Sequence, residues 1–178
     1  MVKNMDAHEK STPDSGDESI YIVDGFDNIA GCSSRREMRV HGSLHRVTYL
    51  IVFNSAGQIL VQERTAIKDW YPGCFDFAAG GVVQYGESYE QSAIRELREE
   101  LGIDAEINQQ FKMYFEDRNT NPETRSWGMV YTCICDGPFK LQVEEVAKVW
   151  FLSVDEALAM DSSLVTPDTR HALMAFLL

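Results

Sequence analysis

The sequence predicts a mixed β-sheet covered by helices, an α/β or α+β sandwich. Segments rich in β-branched and aromatic residues alternate with capped, amphipathic segments along the 178 residues, which is typical of a sheet packed against helices. No internal repeat interrupts this order. We expect a polar, disordered N-terminal tail over residues 1–19 and a single domain over 20–178, with its core over about 45–178.

The first half of the chain contributes mostly strands. Residues 19–24 alternate like a short strand, and residues 33–42 are typical of a short helix. The turn sequence SAGQ separates two β-rich segments, 45–54 and 58–64, and therefore predicts a hairpin. Residues 74–81 indicate a short strand that continues into glycines.

The second half adds strands and closes with helices. Strands are predicted over 109–117 and 126–135, on either side of a polar loop, and over 148–153. Ser153 followed by Glu156 predicts the start of a helix through a capping box. Thr166 and Pro167 favour a C-terminal helix, with Pro167 at the first helical position.

Between these halves, a helix is predicted from Tyr89 to Leu101. Ser88 and Gln91 form a capping box, and Gly102 stands where a C-terminal cap belongs. At 3.6 residues per turn, the apolar side chains of this helix share one arc and its acidic side chains share another. The apolar arc comprises Ala93, Ile94, Leu97 and Leu101, and the acidic arc Glu96, Glu99 and Glu100.

The acidic arc is unfavourable unless something binds it. Glu96 and Glu100 are like charges one turn apart, which costs a few tenths of a kcal/mol, roughly. Glu99 and Glu100 also lie in the last turn, where the helix dipole disfavours anions. Mg²⁺ or Mn²⁺ would convert this repulsion into coordination, because both ions prefer carboxylate oxygens.

Composition excludes several classes of partner. The formal net charge of −12 argues against a nucleic-acid polymer, although divalent cations still allow a small phosphorylated ligand. No apolar run approaches the roughly 20 residues that cross a bilayer, and the N-terminus has no apolar stretch of a signal peptide. The four cysteines show no CxxC spacing, so we expect reduced thiols, a cytoplasmic protein and no membrane partner.

The spacing around the acidic arc resembles the signature of the Nudix hydrolase family without a gap. The signature is Gly, five residues, Glu, seven residues, Arg-Glu-aliphatic, one residue, Glu-Glu, one residue, Gly-aliphatic. Its positions here are Gly81, Glu87, Arg95, Glu96, Leu97, Glu99, Glu100, Gly102 and Ile103.

This resemblance implies an α/β/α sandwich around a mixed sheet. It also implies hydrolysis of a nucleoside diphosphate linked to another moiety, with Mg²⁺ or Mn²⁺ as cofactor. Carried onto this sequence, Glu96, Glu99 and Glu100 would bind the metal with help from the Gly81 carbonyl. Glu87 and Arg95, named in the signature above, would form an ion pair that orients these ligands.

Residues for proton transfer and substrate binding are less sharply defined. Glu99 is the best candidate for the general base within the signature, and Glu145 is the candidate outside it. Arg64 and Lys68 are weaker candidates for contacts to substrate phosphate, since surface solvation or a salt bridge is the simpler explanation for either. His45 is a similar candidate whose alternative is a histidine at the core edge. Dimers are common in the family, so a homodimer is possible.

Two rival functions follow from the same residues. The segments at 44–54, 71–77 and 84–88 resemble the branch that contains isopentenyl-diphosphate isomerase. However, Gly80 and Val82 stand where the isomerase has its cysteine and a histidine, so that machinery is missing. The other rival is a Nudix domain that binds a nucleotide without turning it over, for which a degenerate signature, not an intact one, is expected.

Overall fold

The computed structural model describes residues 16–178, so most of the predicted tail lies outside the described residues. Within that range the chain forms eight strands and four helices. The strands are β1 (Ser19–Val23), β2 (Ile29–Ser34), β3 (His45–Phe53), β4 (Ile59–Arg64), β5 (Phe75–Asp76), β6 (Asn108–Asp117), β7 (Thr124–Ile134) and β8 (Val146–Leu152). The helices are α1 (Arg35–His41), α2 (Tyr89–Leu101), α3 (Val154–Leu158) and α4 (Pro167–Phe176), with a 3-10 turn at Ser162–Leu164.

The sheet is mixed because its central pair of strands is parallel. β3 runs parallel to β7 along its whole length, from the pair His45–Ser126 to the pair Phe53–Ile134. The remaining strand pairs are antiparallel: β1–β2, β1–β3, β3–β4, β4–β5, β4–β8 and β6–β7. The predicted mixed sheet is therefore confirmed.

Alternation along β3 supplies both faces of this sheet. Tyr49 and Ile51 face one core, which α3 and α4 cover with residues such as Leu173. Leu50 and Val52 face a second core, which α2 covers with apolar residues that include Leu97 and Leu101. Helices thus lie on both sides of the sheet, which confirms the α/β/α sandwich. No helix within residues 16–178 is long and apolar enough to cross a membrane.

The hairpin predicted from β3 and β4 opens almost immediately. The two strands pair only at Phe53 and Ile59, after which residues 79–82 lie alongside β3. Ala79 exchanges both backbone hydrogen bonds with Leu50, at 2.8 and 3.0 Å. The glycine-rich segment therefore occupies the space between β3 and β4 where they separate. Its hydrogen bonds to β3 fix its backbone beside Glu100 of α2.

Gly80 provides a test of this packing. It has φ of +140°, and a Cβ there would lie 2.1 Å from the carbonyl oxygen of Thr48. We expect Gly80→Ala to lower the free energy of unfolding by at least about 2 kcal/mol, because it adds a backbone clash to a strained φ. Gly57→Ala is the control: φ there is +77° with nothing within 4 Å of the added carbon, so the cost should be roughly 1 kcal/mol. Equal urea-denaturation midpoints for the two variants would contradict this packing.

Candidate active site

The site is built on α2, whose ends are fixed locally. The Ser88 hydroxyl accepts a hydrogen bond from the Gln91 amide at 3.1 Å, and the Ser88 amide donates to the Gln91 side chain at 2.8 Å. Gly102 ends the helix in the left-handed conformation, at φ of +66°. The predicted bounds of this helix are confirmed, and its apolar arc packs on the sheet.

Glu100 is a buried carboxylate against the glycine-rich segment. Its Oε2 accepts hydrogen bonds from the Gly80 amide at 3.2 Å and from Gln62 Nε2 at 3.4 Å. Burial, reinforced by the negative charge of Glu96, raises the pKa of Glu100 to about 8. Gln62 Oε1 is also buried, and it accepts no hydrogen bond from any described residue.

Glu96 lies one turn earlier and is also held away from water. Burial raises its pKa above the ordinary value. A Cβ on Gly81 would lie 2.6 Å from Glu96 Oε1, so the missing side chain lets this carboxylate approach the backbone. The Gly81 carbonyl itself accepts a hydrogen bond from the Thr48 amide at 2.9 Å. The structure thus brings Glu96, Glu100 and the Gly80–Gly81 backbone together.

Arg95 connects the remaining acids of the signature. It donates to both oxygens of Glu87, at 2.8 and 3.1 Å, in a two-point ion pair. Its Nη1 also donates to Glu96 at 2.8 Å and to Glu99 at 3.0 Å. The Glu99 side chain is 51% exposed, whereas Glu96 is 14% exposed and Glu100 is buried.

The donor set fits a divalent cation by its chemistry. The buried carboxylate of Glu100 and the 14% exposed carboxylate of Glu96 repel each other, and the buried oxygen of Gln62 beside Glu100 has no donor among the described residues. Within residues 16–178 no three His, Cys, Asp or Glu side chains already stand close enough to form a complete metal cage. Arg95 instead contributes the positive charge at Glu96 and Glu99. A hard cation would satisfy the same oxygens, because carboxylates are its preferred ligands.

A cleft of about 180 Å³ opens beside Glu100 and the glycine-rich segment. Glu100, Gly80, Gly81, His45, Arg64 and Lys68 all line it. Lys68 forms an ion pair with Glu145, and the charges of both side chains influence the pKa of Glu100. Of the predicted substrate and base residues, Lys68 and Glu145 therefore lie beside the buried acids.

Arg64 has a structural role in the wall of the cleft. Its guanidinium donates to the Trp70 carbonyl at 2.9 Å, to the Tyr71 carbonyl at 3.2 Å and to Asp76 at 2.8 Å. These contacts fasten the loop between β4 and β5. A role in substrate binding stays a prediction for this residue.

His45 lies at the base of the cleft as a neutral, buried ring. Its Nδ1 is 2.9 Å from the Ser43 carbonyl. Burial lowers the pKa of His45 to about 4, with the positive charges of Arg35 and Arg39 acting in the same direction. The ring is therefore uncharged at neutral pH, so it offers a substrate hydrogen bonds but no ion pair.

Sequence reasoning missed two further acids that line the cleft, Asp76 and Asp168. Asp76 is buried and accepts hydrogen bonds from Arg64 and the Thr166 hydroxyl. Asp168 accepts from the Tyr49 hydroxyl at 3.3 Å, and burial and the charge of Asp76 raise its pKa. An aspartate between two phenylalanines was a visible signal for Asp76. Asp168 gave none, because an acid in a first helical turn is ordinary.

Fold and site together define an α/β/α sandwich in which the buried carboxylate of Glu100 lines a cleft and Glu96 lies one turn away on the same helix. The family model described as NUDIX domain matches residues 43–173. The uncharacterized Nudix hydrolase PA4841 of Pseudomonas aeruginosa is 42% identical over 162 residues, which are 90% of this chain and 94% of that protein. The uncharacterized Nudix hydrolase YfcD of Escherichia coli K12 is 41% identical over 157 residues, 88% of this chain and 84% of that one.

The solved structures give the same answer for the fold. The crystal structure of DR0079 from Deinococcus radiodurans superimposes with a TM-score of 0.76 at 24% identity, covering 89% of this chain and 99% of that one. The chain belongs to the Nudix hydrolase family. It is accordingly a hydrolase of acid anhydrides in phosphorus-containing compounds.

The raised pKa of Glu100 predicts a pH-dependent stability without metal. The folded pKa of about 8 exceeds the ordinary 4.5, so the folded protein holds a proton that the unfolded chain releases. This contribution to stability is present below about pH 4.5 and is lost as the pH rises through about 8. In EDTA, Glu100→Gln should therefore gain stability relative to the wild type between pH 5 and 8, by at least about 1 kcal/mol.

Urea denaturation at several pH values measures this difference. Glu90→Gln is the control, because Glu90 is an exposed glutamate in the first turn of the same helix. Its stability should follow the wild type across the range. A Glu100→Gln profile parallel to the wild type would mean that Glu100 is ionised in the folded protein.

Proposed function

We propose that the protein is a Mg²⁺- or Mn²⁺-dependent hydrolase that cleaves the diphosphate bond of a nucleoside diphosphate linked to another moiety. In the proposed reaction a water molecule attacks phosphorus. The observation that carries this proposal is the pair Glu96 and Glu100, the first 14% exposed and the second buried, both packed against the backbone of residues 80–81. Such a pair is costly for a stable fold unless a cation offsets it.

Glu96, Glu99 and Glu100 would hold the cation, with the Gly81 carbonyl as a further oxygen donor. When bound, it would neutralise charge on the diphosphate and make water more acidic. Glu87 acts through Arg95, because its two-point ion pair fixes the guanidinium that touches Glu96 and Glu99. Both residues are therefore positioning residues in this proposal.

The proton from water needs an acceptor near the reacting phosphorus. Glu145 is held beside Glu100 by Lys68, which favours it as a fixed acceptor. Glu99 is the alternative, with a more exposed side chain that moves more freely. Lys68 lines the cleft and its positive charge acts on Glu100, so we assign it the contact to substrate phosphate.

Glu99 and Glu100 provide the direct test. Purified protein would be screened with Mg²⁺ and Mn²⁺ against ADP-ribose, NADH, coenzyme A and dinucleoside polyphosphates, with chromatography of the products. We expect metal-dependent cleavage in the wild type and a loss of more than about 100-fold in Glu99→Gln/Glu100→Gln, beyond that of a supporting residue. Undiminished cleavage by the double variant would overturn the site assignment, whereas unchanged ligand affinity without any turnover would favour a binding module.

The route of water attack has its own measurement. In water enriched in ¹⁸O, one product phosphate should carry a single ¹⁸O atom, which mass spectrometry detects. The label should be absent from the non-phosphate part of either product. Label on carbon would indicate that a C–O bond breaks instead, and would contradict attack at phosphorus.

The positioning role of Glu87 predicts a smaller loss. Glu87→Gln removes the charge that holds Arg95, so Mn²⁺ affinity, measured by electron paramagnetic resonance, should fall by about 10–100-fold. Glu90→Gln, on the same helix but outside these contacts, should bind Mn²⁺ as the wild type does. Equal affinities in both variants would show that the ion pair does not orient the ligands.

A further inference from the structure

One wall of the cleft comes from a part of the chain that precedes the region matched by the family model. That region begins at residue 43, whereas α1 spans Arg35–His41. Arg35, Met38 and Arg39 all line the cleft. Arg35 and Arg39 are one turn apart, so both project from the same face of α1. The lead-in segment therefore contributes two cations to the site.

A third cation joins this wall from β7. Arg125 lines the cleft, and its Nη2 donates to the Gly42 carbonyl at 3.1 Å, directly after α1. Its Nε is buried and finds no hydrogen-bond partner among the described residues. No carboxylate of residues 16–178 lies within ion-pair distance of this guanidinium, although Glu123 lines the same wall. Arg125 is thus a partly desolvated cation with donor capacity to spare.

The other two arginines already have acidic partners, with which a ligand phosphate would compete. Arg35 pairs with Glu18 and Arg39 pairs with Asp69, each at 3.1 Å. The Asp69 side chain is 65% exposed, so its ion pair contributes little in water. All three arginines line the same cleft as His45. They therefore face the volume that Gly80, Gly81 and Glu100 also line.

We propose that Arg35, Arg39 and Arg125 form a subsite for a phosphomonoester that the substrate carries in addition to its diphosphate. This inference rests on the proposed function and narrows its substrate class. Guanidinium groups bind phosphate through paired N–H donors, which suits a dianionic group. The chain has a net charge of −12, which repels anions. A phosphomonoester of the substrate therefore binds where cations are grouped, as they are in this wall. Met38 supplies apolar contact beside it.

Matched substrate pairs test the subsite. Coenzyme A and dephospho-coenzyme A differ by one phosphomonoester, as do NADPH and NADH. With Mg²⁺ and at constant ionic strength, which keeps screening equal, kcat/KM should favour the phosphorylated member of at least one pair by about 10-fold. In Arg125→Gln and Arg39→Gln this ratio should fall to about one or two, mainly through KM.

Arg36→Gln is the matched control on the same helix. Arg36 is 70% exposed and does not line the cleft, yet its replacement changes the net charge equally. The ratio should remain that of the wild type. Thermal unfolding midpoints establish that all three variants are folded. A wild type without preference in either pair overturns the proposal, as does an equal loss in Arg36→Gln and Arg125→Gln.

A binding measurement separates this inference from the proposed hydrolysis. Adenosine 3′,5′-bisphosphate and AMP contain no diphosphate bond, and EDTA removes the metal. Calorimetry in EDTA therefore measures the affinity of the proposed subsite without hydrolysis. The bisphosphate should bind about 10-fold more tightly to the wild type, and this advantage should vanish in Arg125→Gln. Equal affinities would overturn the subsite even if hydrolysis is found. A clear difference would support it even if no diphosphate is cleaved.

Discussion

Glu96 and Glu100 lie one turn apart on α2, and both carboxylates pack against residues 80–81, with Glu96 14% exposed and Glu100 buried. Two like charges so far withdrawn from water are tolerated only when their surroundings are fixed in advance. The capping residues of α2 set where the acids point, and the apolar arc presses the helix onto the sheet. The opened strands β3 and β4 admit the glycine-rich backbone that meets them. Arg95 then compensates part of the charge from the solvent side.

The same constraint explains how the lead-in segment becomes part of the site. β1 holds the loop before α2 through two hydrogen bonds. The Tyr85 amide donates to the Ser19 carbonyl at 2.8 Å, and the Gly86 amide donates to the Tyr21 hydroxyl at 2.9 Å. That loop carries Glu87 and so sets the position of Arg95. α1 follows the β1–β2 pair, and its residues Arg35 and Arg39 line the same cleft as Glu100. The segment from β1 to α1, which precedes the signature, thus affects both the position of Arg95 and the wall of the cleft.

Local sequence patterns predicted much of the structure, whereas the rest depends on pairing between segments distant in sequence. The capping box and Gly102 defined α2 to the residue, because caps are local interactions. The β3–β4 hairpin was only partly correct, because residues 79–82, distant in sequence, pair with the edge of β3 that β4 would otherwise occupy. Spacing gathered the signature residues, whereas Asp168 and Arg125 reach the cleft only through tertiary packing. No local pattern reports which distant elements meet.

The central claim is that a metal ion and a proton compete for the buried glutamates. Titrating Mn²⁺ into the protein at pH 7 by calorimetry, in buffers of different ionisation enthalpy, counts the protons released on binding. Because the pKa of metal-free Glu100 is raised to about 8, the account predicts release of nearly one proton in the wild type. It predicts almost none in Glu100→Gln. Tight binding by the wild type without proton release would contradict the account.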